Sequence, residues 1–126
     1  MNNILVVFLG GGLGSVLRLG INYAVSRTVD TSRLPWHTLT ANLLGALIMG
    51  VLVEALALRI NMPSTARYAL VTGFLGGLTT FSAFSLENAL MLERGAWMDM
   101  AFYIFISVAG TLAAVLAGSW LARTVI

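Results

Sequence analysis

The residues with the clearest chemical potential lie together in the segment 72–85, which reads TGFLGGLTTFSAFS inside an otherwise apolar stretch. Its glycines and its Thr79–Thr80 pair weaken a helix, because hydroxyl groups compete for backbone hydrogen bonds. A break near Gly76 to Thr80 would free carbonyl oxygens, which coordinate Na⁺ in broken membrane helices. The segment therefore predicts ion binding or permeation. The alternative is a bent, tightly packed helix whose hydroxyls bond back to the preceding turn.

Phe81 and Phe84 are three residues apart and would share one helix face. An aromatic ring has a positive edge. Such edges can contact a small anion without holding it too tightly to leave, which is the balance a channel needs. A phenylalanine pair alone would indicate core packing, but the flanking hydroxyl residues favour a site: Thr79, Thr80, Ser82 and Ser85.

Asn42 is a polar residue near the middle of another apolar stretch. Its amide supplies two N–H donors. These donors either bond a neighbouring helix or meet an anion, and the sequence leaves both readings open. His37 is the only histidine, and we interpret it as an interfacial residue with no evident partner for metal binding.

Two charged residues also lie within apolar stretches. Arg18 is expected to face a partner or an aqueous cavity, where it would attract anions, or to snorkel toward the helix end. Glu87 follows Phe84 by three residues, and it either couples to protons or satisfies Arg18 or a hydroxyl. Tyr103 and Ser107 are four apart and are predicted to form interhelical hydrogen bonds.

Several functional classes are excluded by composition. The chain has no cysteine and one histidine, and no nucleophile–base–orienter set is present, so we predict that it is not an enzyme. Its seven basic residues are all arginine and form no basic cluster, which argues against nucleic-acid binding.

The elements that position these residues must cross a membrane. Of the 126 residues, 59% are hydrophobic and 10% charged, whereas a soluble domain carries about 25% charged residues. We predict an all-α integral membrane protein with one domain over residues 1–126. A spanning helix needs about 20 apolar residues, and four segments fit that length, with the third helix broken in the middle: approximately 4–25, 36–58, 68–92 and 98–125.

The arginines outside these spans give no orientation bias, because four spans put three arginines on each side. One side holds Arg59, Arg67 and Arg123, and the other holds Arg27, Arg33 and Arg94. A chain without such a bias can insert both ways, which permits an antiparallel homodimer in the lipid bilayer. The alternative is that one terminal feature decides the orientation.

Small residues spaced four apart predict close helix packing. The pairs are Gly10 and Gly14, Gly11 and Ser15, and Ala41 and Gly45. The GGGLGS run is not a dinucleotide-binding turn, since serine takes the third glycine position and no βαβ unit follows.

Three motifs together closely resemble those of the Fluc/CrcB fluoride channels. They are GGGLGSVLR (10–18), TLTANLLGALIMG (38–50) and TGFLGGLTTFSAFSLE (72–87). The resemblance covers essentially the whole chain, with matching length and four spans. The third motif is highly specific, whereas GGGLGS alone is not.

The resemblance implies a fluoride-selective channel that passively exports cytoplasmic F⁻ across the cell (inner) membrane and gives fluoride resistance. It also implies a dual-topology antiparallel homodimer with two pores. Phe81 and Phe84 would line the pores with ring edges, and Asn42 would be the pore-facing donor. The backbone carbonyls of Gly76 and Thr79, from both subunits, would bind a central structural Na⁺.

The remaining pore residues follow from the same resemblance. Arg18 would lie beside the aqueous entrance, and other polar groups would lie along or near the ion path: Thr80, Ser82, Glu87, Tyr103 and Ser107. One position departs from the family, which usually reads TFSTFS, because Ala83 removes a hydroxyl from this polar track.

Two other functions stay open on the sequence. A small dual-topology, proton-coupled drug exporter would need an intramembrane carboxylate, typically in the first span. This chain has Arg18 there, which leaves Glu87 as the only candidate. A non-transporting assembly subunit would explain the packing glycines but leaves the polar third span without a role.

Overall fold

The computed structural model describes residues 2–58 and 61–126, and throughout these ranges the regular structure is helical. In chain order the helices are α1 (Asn3–Thr28), α2 (Trp36–Leu58), α3 (Ser64–Arg67), a π-helix π1 (Tyr68–Leu75), α4 (Gly76–Leu78), α5 (Phe81–Glu93) and α6 (Trp97–Val125). Arg59, which entered the orientation count, lies outside the described residues.

Four helical stretches in the described ranges are long and apolar enough to cross a membrane: Asn3–Thr28, Trp36–Leu58, Ser64–Glu93 and Trp97–Val125. They coincide with the four predicted spans and extend several of their ends. The all-helical, four-span architecture predicted from the sequence is therefore confirmed, and the chain is a multi-pass membrane protein.

The third span is interrupted rather than continuous. Helix α4 ends at Leu78, and Thr79 and Thr80 are both extended, with φ, ψ of −89°, 157° and −151°, 125°. Helix α5 then begins at Phe81. The break lies within the predicted interval, but the preceding π-helix, Tyr68–Leu75, was not predicted. Residue types carry no clear signal for the wider π turn, which is rare and concentrated near functional sites.

Glycines bring α1 into backbone contact with the first half of the third span. A Cβ at Gly10 would overlap the carbonyl oxygen of Ala69, and one at Gly14 would overlap that of Phe74. Gly77 of α4 faces the backbone of Gly11 in the same way. The predicted close packing at Gly10 and Gly14 is confirmed, and it holds the segment before the break against α1.

A second glycine contact joins α2 to α6. Gly50 lies against the carbonyl of Val115, and Gly118 lies against the carbonyl of Leu47. The Ser119 hydroxyl adds a hydrogen bond of 3.3 Å to the Gly50 carbonyl. The two helices are thereby fixed side by side, and both contribute residues to the site at the break.

Polar contacts at one end of the bundle tie two loops together. Arg33 pairs with Asp99 at 2.8 Å, and Arg94 donates to the carbonyls of Ser32 and Arg33 at 3.3 and 3.0 Å. This contact joins the α1–α2 loop to the α5–α6 turn, where Gly95 has a φ of 73°. The N-terminus of α2 is therefore positioned relative to α5.

Candidate ion-binding site at the helix break

Asn42 of α2 satisfies the backbone exposed by the break. Its Nδ2 donates to the Thr80 carbonyl at 3.1 Å, and its Oδ1 accepts from the Thr80 N–H at 2.8 Å. Backbone groups away from water need such partners. Of the two readings left open for Asn42, the bond to a neighbouring span is thus present, and its second Nδ2 hydrogen remains available to another acceptor.

The two threonine hydroxyls both bond to the backbone around the break. Thr79 Oγ1 donates to the Leu75 carbonyl at 2.9 Å, one turn back along the span. Thr80 Oγ1 accepts from the Ala83 N–H at 3.2 Å and caps α5. It also lies 3.3 Å from Ser82 Oγ. These bonds end one helix and start the next, as hydroxyl groups favour at a helix N-terminus.

Gly76 and Thr79, predicted to give carbonyls to Na⁺, lie at the two ends of α4, with Gly76 as its first residue and Thr79 just after its last. Gly76 is exposed and Thr79 is half-buried. The last carbonyls of a helix lack intrahelical partners, and hard cations take oxygen ligands. No cluster of three or more acidic, histidine or cysteine side chains occurs in the described part of the chain. The donor set that fits a cation here consists of backbone oxygens.

Three aromatic rings form a row beside the break. Phe81 and Phe84 have ring centroids 5.4 Å apart and planes tilted by 40°. Phe84 and Tyr103 of α6 are 5.3 Å apart and tilted by 45°. Phe81 is 78% exposed, so the row runs from the outer surface toward the buried Tyr103.

Glu87 accepts hydrogen bonds from two hydroxyl groups. Tyr103 donates to its Oε2 at 2.7 Å, and Thr38 donates to its Oε1. The interhelical hydrogen bond predicted for Tyr103 is therefore confirmed, whereas the Ser107 hydroxyl is buried without a partner and forms none. Of the partners considered for Glu87, the hydroxyls are present, and Arg18 is not in ion-pair contact with it in the described structure.

Two cavities meet at Thr80. We call the first, about 330 Å³, the aromatic cavity; its lining includes Asn42, Thr79, Thr80, Phe81, Phe84 and Ser107. We call the second, about 540 Å³, the arginine cavity; its lining includes Ser15, Arg18, Asn22, Thr38, Thr80 and Ser82. The break therefore separates a mainly apolar space from a cationic, polar one.

Apart from Gly76, the predicted site residues lie in the two cavities or in the hydrogen-bond network of Glu87. Arg18 and Ser82 both line the arginine cavity, and their roles in conduction stay predictions. Sequence reasoning missed Asn22, whose Oδ1 is buried without a partner. The signal was available, because Asn22 follows Arg18 by four residues and so shares its helix face.

A membrane span that is broken beside polar groups and aromatic rings is an arrangement found in ion-transporting membrane proteins. The family described as CrcB-like protein, Camphor Resistance (CrcB), matches residues 5–119. The chain belongs to this family.

Three curated relatives similar to the chain are each named Fluoride-specific ion channel FluC. That of Chelativorans sp. (strain BNC1) is 43% identical over 126 residues, covering 100% of both chains. That of Methylobacterium nodulans is 48% identical over 115 residues, covering 91% of each. That of Agrobacterium fabrum is 45% identical over 123 residues, covering 98% of each.

Proposed function

We propose that the protein is a fluoride-selective ion channel through which F⁻ moves passively. The observation that carries this proposal is that the Asn42 amide bonds both the N–H and the carbonyl of Thr80, beside the Phe81–Phe84 pair. The names of the relatives, which are 43 to 48% identical, support fluoride as the ion.

The chemistry of the lining suits a small, strongly hydrated anion. Such an ion leaves water only where close donors replace its hydration shell. The free Nδ2 hydrogen of Asn42 and the hydroxyls near the break are such donors. The edges of Phe81 and Phe84 add weaker compensation. Arg18 would concentrate anions in the arginine cavity, and further polar groups would line or adjoin the path: Thr80, Ser82, Glu87, Tyr103 and Ser107.

The functional unit we propose is an antiparallel, dual-topology homodimer with two pores. A single chain leaves Phe81 78% exposed at one wall of the aromatic cavity, which supports completion of the pore by a second copy. The equal arginine distribution on the sequence permits both orientations. The carbonyls of Gly76 and Thr79 from both subunits would hold a structural Na⁺, which supplies positive charge near the anion path and links the two broken spans.

In the cell, such a channel would sit in the cell (inner) membrane and release cytoplasmic fluoride, giving fluoride resistance without catalysing a reaction. A proton-coupled drug exporter is the second candidate, because Glu87 is a carboxylate within the third span. The channel is favoured since Glu87 is held by the Tyr103 and Thr38 hydroxyls beside the aromatic row.

Fluoride efflux from proteoliposomes, measured with a fluoride electrode, tests the proposal. We expect rapid fluoride efflux and little chloride efflux from the purified protein in Na⁺, with no proton gradient. Absence of fluoride efflux from a folded dimer would overturn the channel. Transport of a cationic drug that requires a proton gradient and Glu87 would then establish the exporter.

A further inference from the structure

His37 lies beside the one carboxylate of the site and has no role in the proposed conduction path. Its Nε2 is 3.5 Å from Oε1 of Glu87, and the two side chains are only 24% and 18% exposed. This separation exceeds an ordinary N–H···O bond of about 2.7–3.2 Å. The two groups are therefore close enough to interact as charges, and a small approach would form a hydrogen bond.

The other groups that face this pair add no positive charge next to Glu87. Tyr103 of α6 and Thr38 of α2 donate neutral hydroxyls to it. Arg18 of α1 shares the arginine cavity with Thr38 but does not pair with Glu87. Over residues 2–58 and 61–126, the arginines in ion pairs contact Asp99 and Glu54 instead. Within these ranges, His37 is the group at ion-pair distance that can become cationic.

The imidazole has an open position for a proton. With Nε2 directed at Glu87, His37 Nδ1 is buried and has no hydrogen-bond partner. We assign the neutral tautomer with its hydrogen on Nε2, because that nitrogen faces a carboxylate oxygen. A proton added at Nδ1 would make the ring cationic and leave a buried N–H without an acceptor, which opposes protonation. The charge-assisted bond from Nε2–H to Glu87 is the interaction that offsets this cost.

We propose that His37 and Glu87 form a proton-binding site whose occupancy sets the charge beside the ion path. This inference rests on the proposed fluoride channel. With neutral His37 the pair carries the negative charge of Glu87, and with protonated His37 it carries none. Glu87 follows Phe84 by about one helical turn, and its partner Tyr103 packs on the Phe84 ring. A net negative charge there repels an anion, so protonation increases conduction.

The direction of the pH dependence follows from histidine chemistry. Histidine ordinarily changes charge between about pH 5 and 8. Fluoride flux is therefore expected to rise as pH falls from 7.5 to 5.5. The expected rise is at least about fivefold, the factor that a unit charge roughly 4 Å away contributes in water, because these largely buried side chains are screened less than in water.

Flux from proteoliposomes at pH 5.5 and 7.5, with equal pH on both sides, tests the site. Protein-free liposomes provide the correction for hydrogen fluoride that crosses lipid at low pH. H37Q keeps an N–H donor but does not titrate in this range, so it should conduct without the pH dependence. The matched control is E54Q, because Glu54 pairs with Arg123 near the opposite end of α2 and should retain the wild-type response.

The outcomes separate this inference from the proposed function. No flux from folded wild-type protein at either pH overturns the channel itself. Flux that is equal at both pH values, or a pH dependence that persists in H37Q, overturns the proton site and leaves the channel intact.

A second measurement does not depend on flux or on H37Q folding. Since the chain has one histidine, its imidazole ¹⁵N resonances report His37 alone. At pH 5.5 the Nε2 resonance should differ between E87Q and the wild type, because the carboxylate that faces Nε2 is gone. It should be the same in E54Q as in the wild type. Identical Nε2 resonances in E87Q and the wild type would contradict the proposed coupling.

Discussion

At the scale of residues, Asn42 combines a structural task with a proposed conductive one. Its amide forms hydrogen bonds with both the N–H and the carbonyl of Thr80, so the backbone groups at the break are paired. The same amide keeps one N–H that can face an ion. An amide is suited to both tasks because it presents a donor and an acceptor side by side.

Replacing Asn42 by Asp tests this dual role. The carboxylate can still accept from the Thr80 N–H, but it cannot donate to the Thr80 carbonyl or to an anion. We expect fluoride flux to be abolished and stability to fall by about 1–3 kcal/mol, the cost of an unpaired buried polar group. Electrode-measured efflux and thermal unfolding in detergent report the two effects.

The matched control is Asn2→Asp at the exposed cap of α1, where Asn2 accepts from the Ile4 N–H at 3.0 Å. Aspartate caps a helix about as well as asparagine, so flux and stability should be unchanged there. Wild-type fluoride flux in Asn42→Asp would remove Asn42 from the ion path.

At the scale of elements, the site depends on where one helix stops and the next starts. Helix α4 is held against α1 by glycine contacts, and α5 starts at the Thr80 cap. Two separate devices, which are the glycine contacts with α1 and the Thr80 cap of α5, therefore position the break. Each can be weakened by one substitution without touching the aromatic row.

The first device is tested by Gly14→Ala in α1. A Cβ there would overlap the Phe74 carbonyl and approach the Leu78 N–H, so the backbones must separate. We expect a loss of about 1–3 kcal/mol, as for overpacking elsewhere, measured as a lower unfolding midpoint. Gly20→Ala is the control, since its Cβ meets nothing within 4 Å. An equal effect of the two substitutions would contradict the packing argument.

The second device is tested by comparing Thr80→Ala with Thr80→Ser. Alanine removes the acceptor for the Ala83 N–H, whereas serine keeps it. We expect Thr80→Ala to cost about 0.5–2 kcal/mol and to reduce fluoride flux, while Thr80→Ser stays near wild type. If Thr80→Ala has the same fluoride flux and the same unfolding midpoint as Thr80→Ser, the hydroxyl cap does not maintain the site.

At the scale of the whole molecule, the single chain exposes a large apolar surface. Large apolar side chains such as Phe81, Phe105 and Leu116 are 70–78% exposed. Lipid covers such surface in a membrane protein, and a second copy would cover the part beside the aromatic cavity. Assembly and orientation are therefore the properties to measure at this scale.

Orientation can be read by thiol labelling, because the chain has no cysteine of its own. An Asn2→Cys variant carries one thiol at the exposed N-terminus. With dual topology, about half of the thiols in intact cells should react with a membrane-impermeant maleimide before permeabilisation. Labelling of nearly all or almost none before permeabilisation would show a single orientation.

The proposed cation site predicts a stability that depends on Na⁺. A ligand that binds only the folded protein at a hundredfold excess over its Kd adds about 2.7 kcal/mol. We expect the unfolding midpoint to fall when Na⁺ is replaced by the bulky cation N-methylglucamine at equal ionic strength. An unchanged midpoint would argue against a resident Na⁺ at Gly76 and Thr79.

Much of this architecture was predictable from local patterns. Four apolar runs of spanning length specify four membrane helices, because backbone groups in lipid must be paired within a helix. Glycines and adjacent threonines predicted a break near Gly76 to Thr80, and the structure has it at Thr79 and Thr80. The Gly10–Gly14 spacing predicted close packing, and the structure identified the third span as the partner. Each of these depends on the chain's own local chemistry.

Only the tertiary structure decided which groups meet across helices. Thr38 and Tyr103 bond to Glu87 from different helices, 49 and 16 residues away in the chain. His37 was interpreted as an interfacial residue, yet its ring lies beside the same carboxylate. Such pairings depend on the rotation and offset of packed helices, which residue spacing within one helix does not specify. The sequence determined the spans and the break, while packing determined the surroundings of the carboxylate.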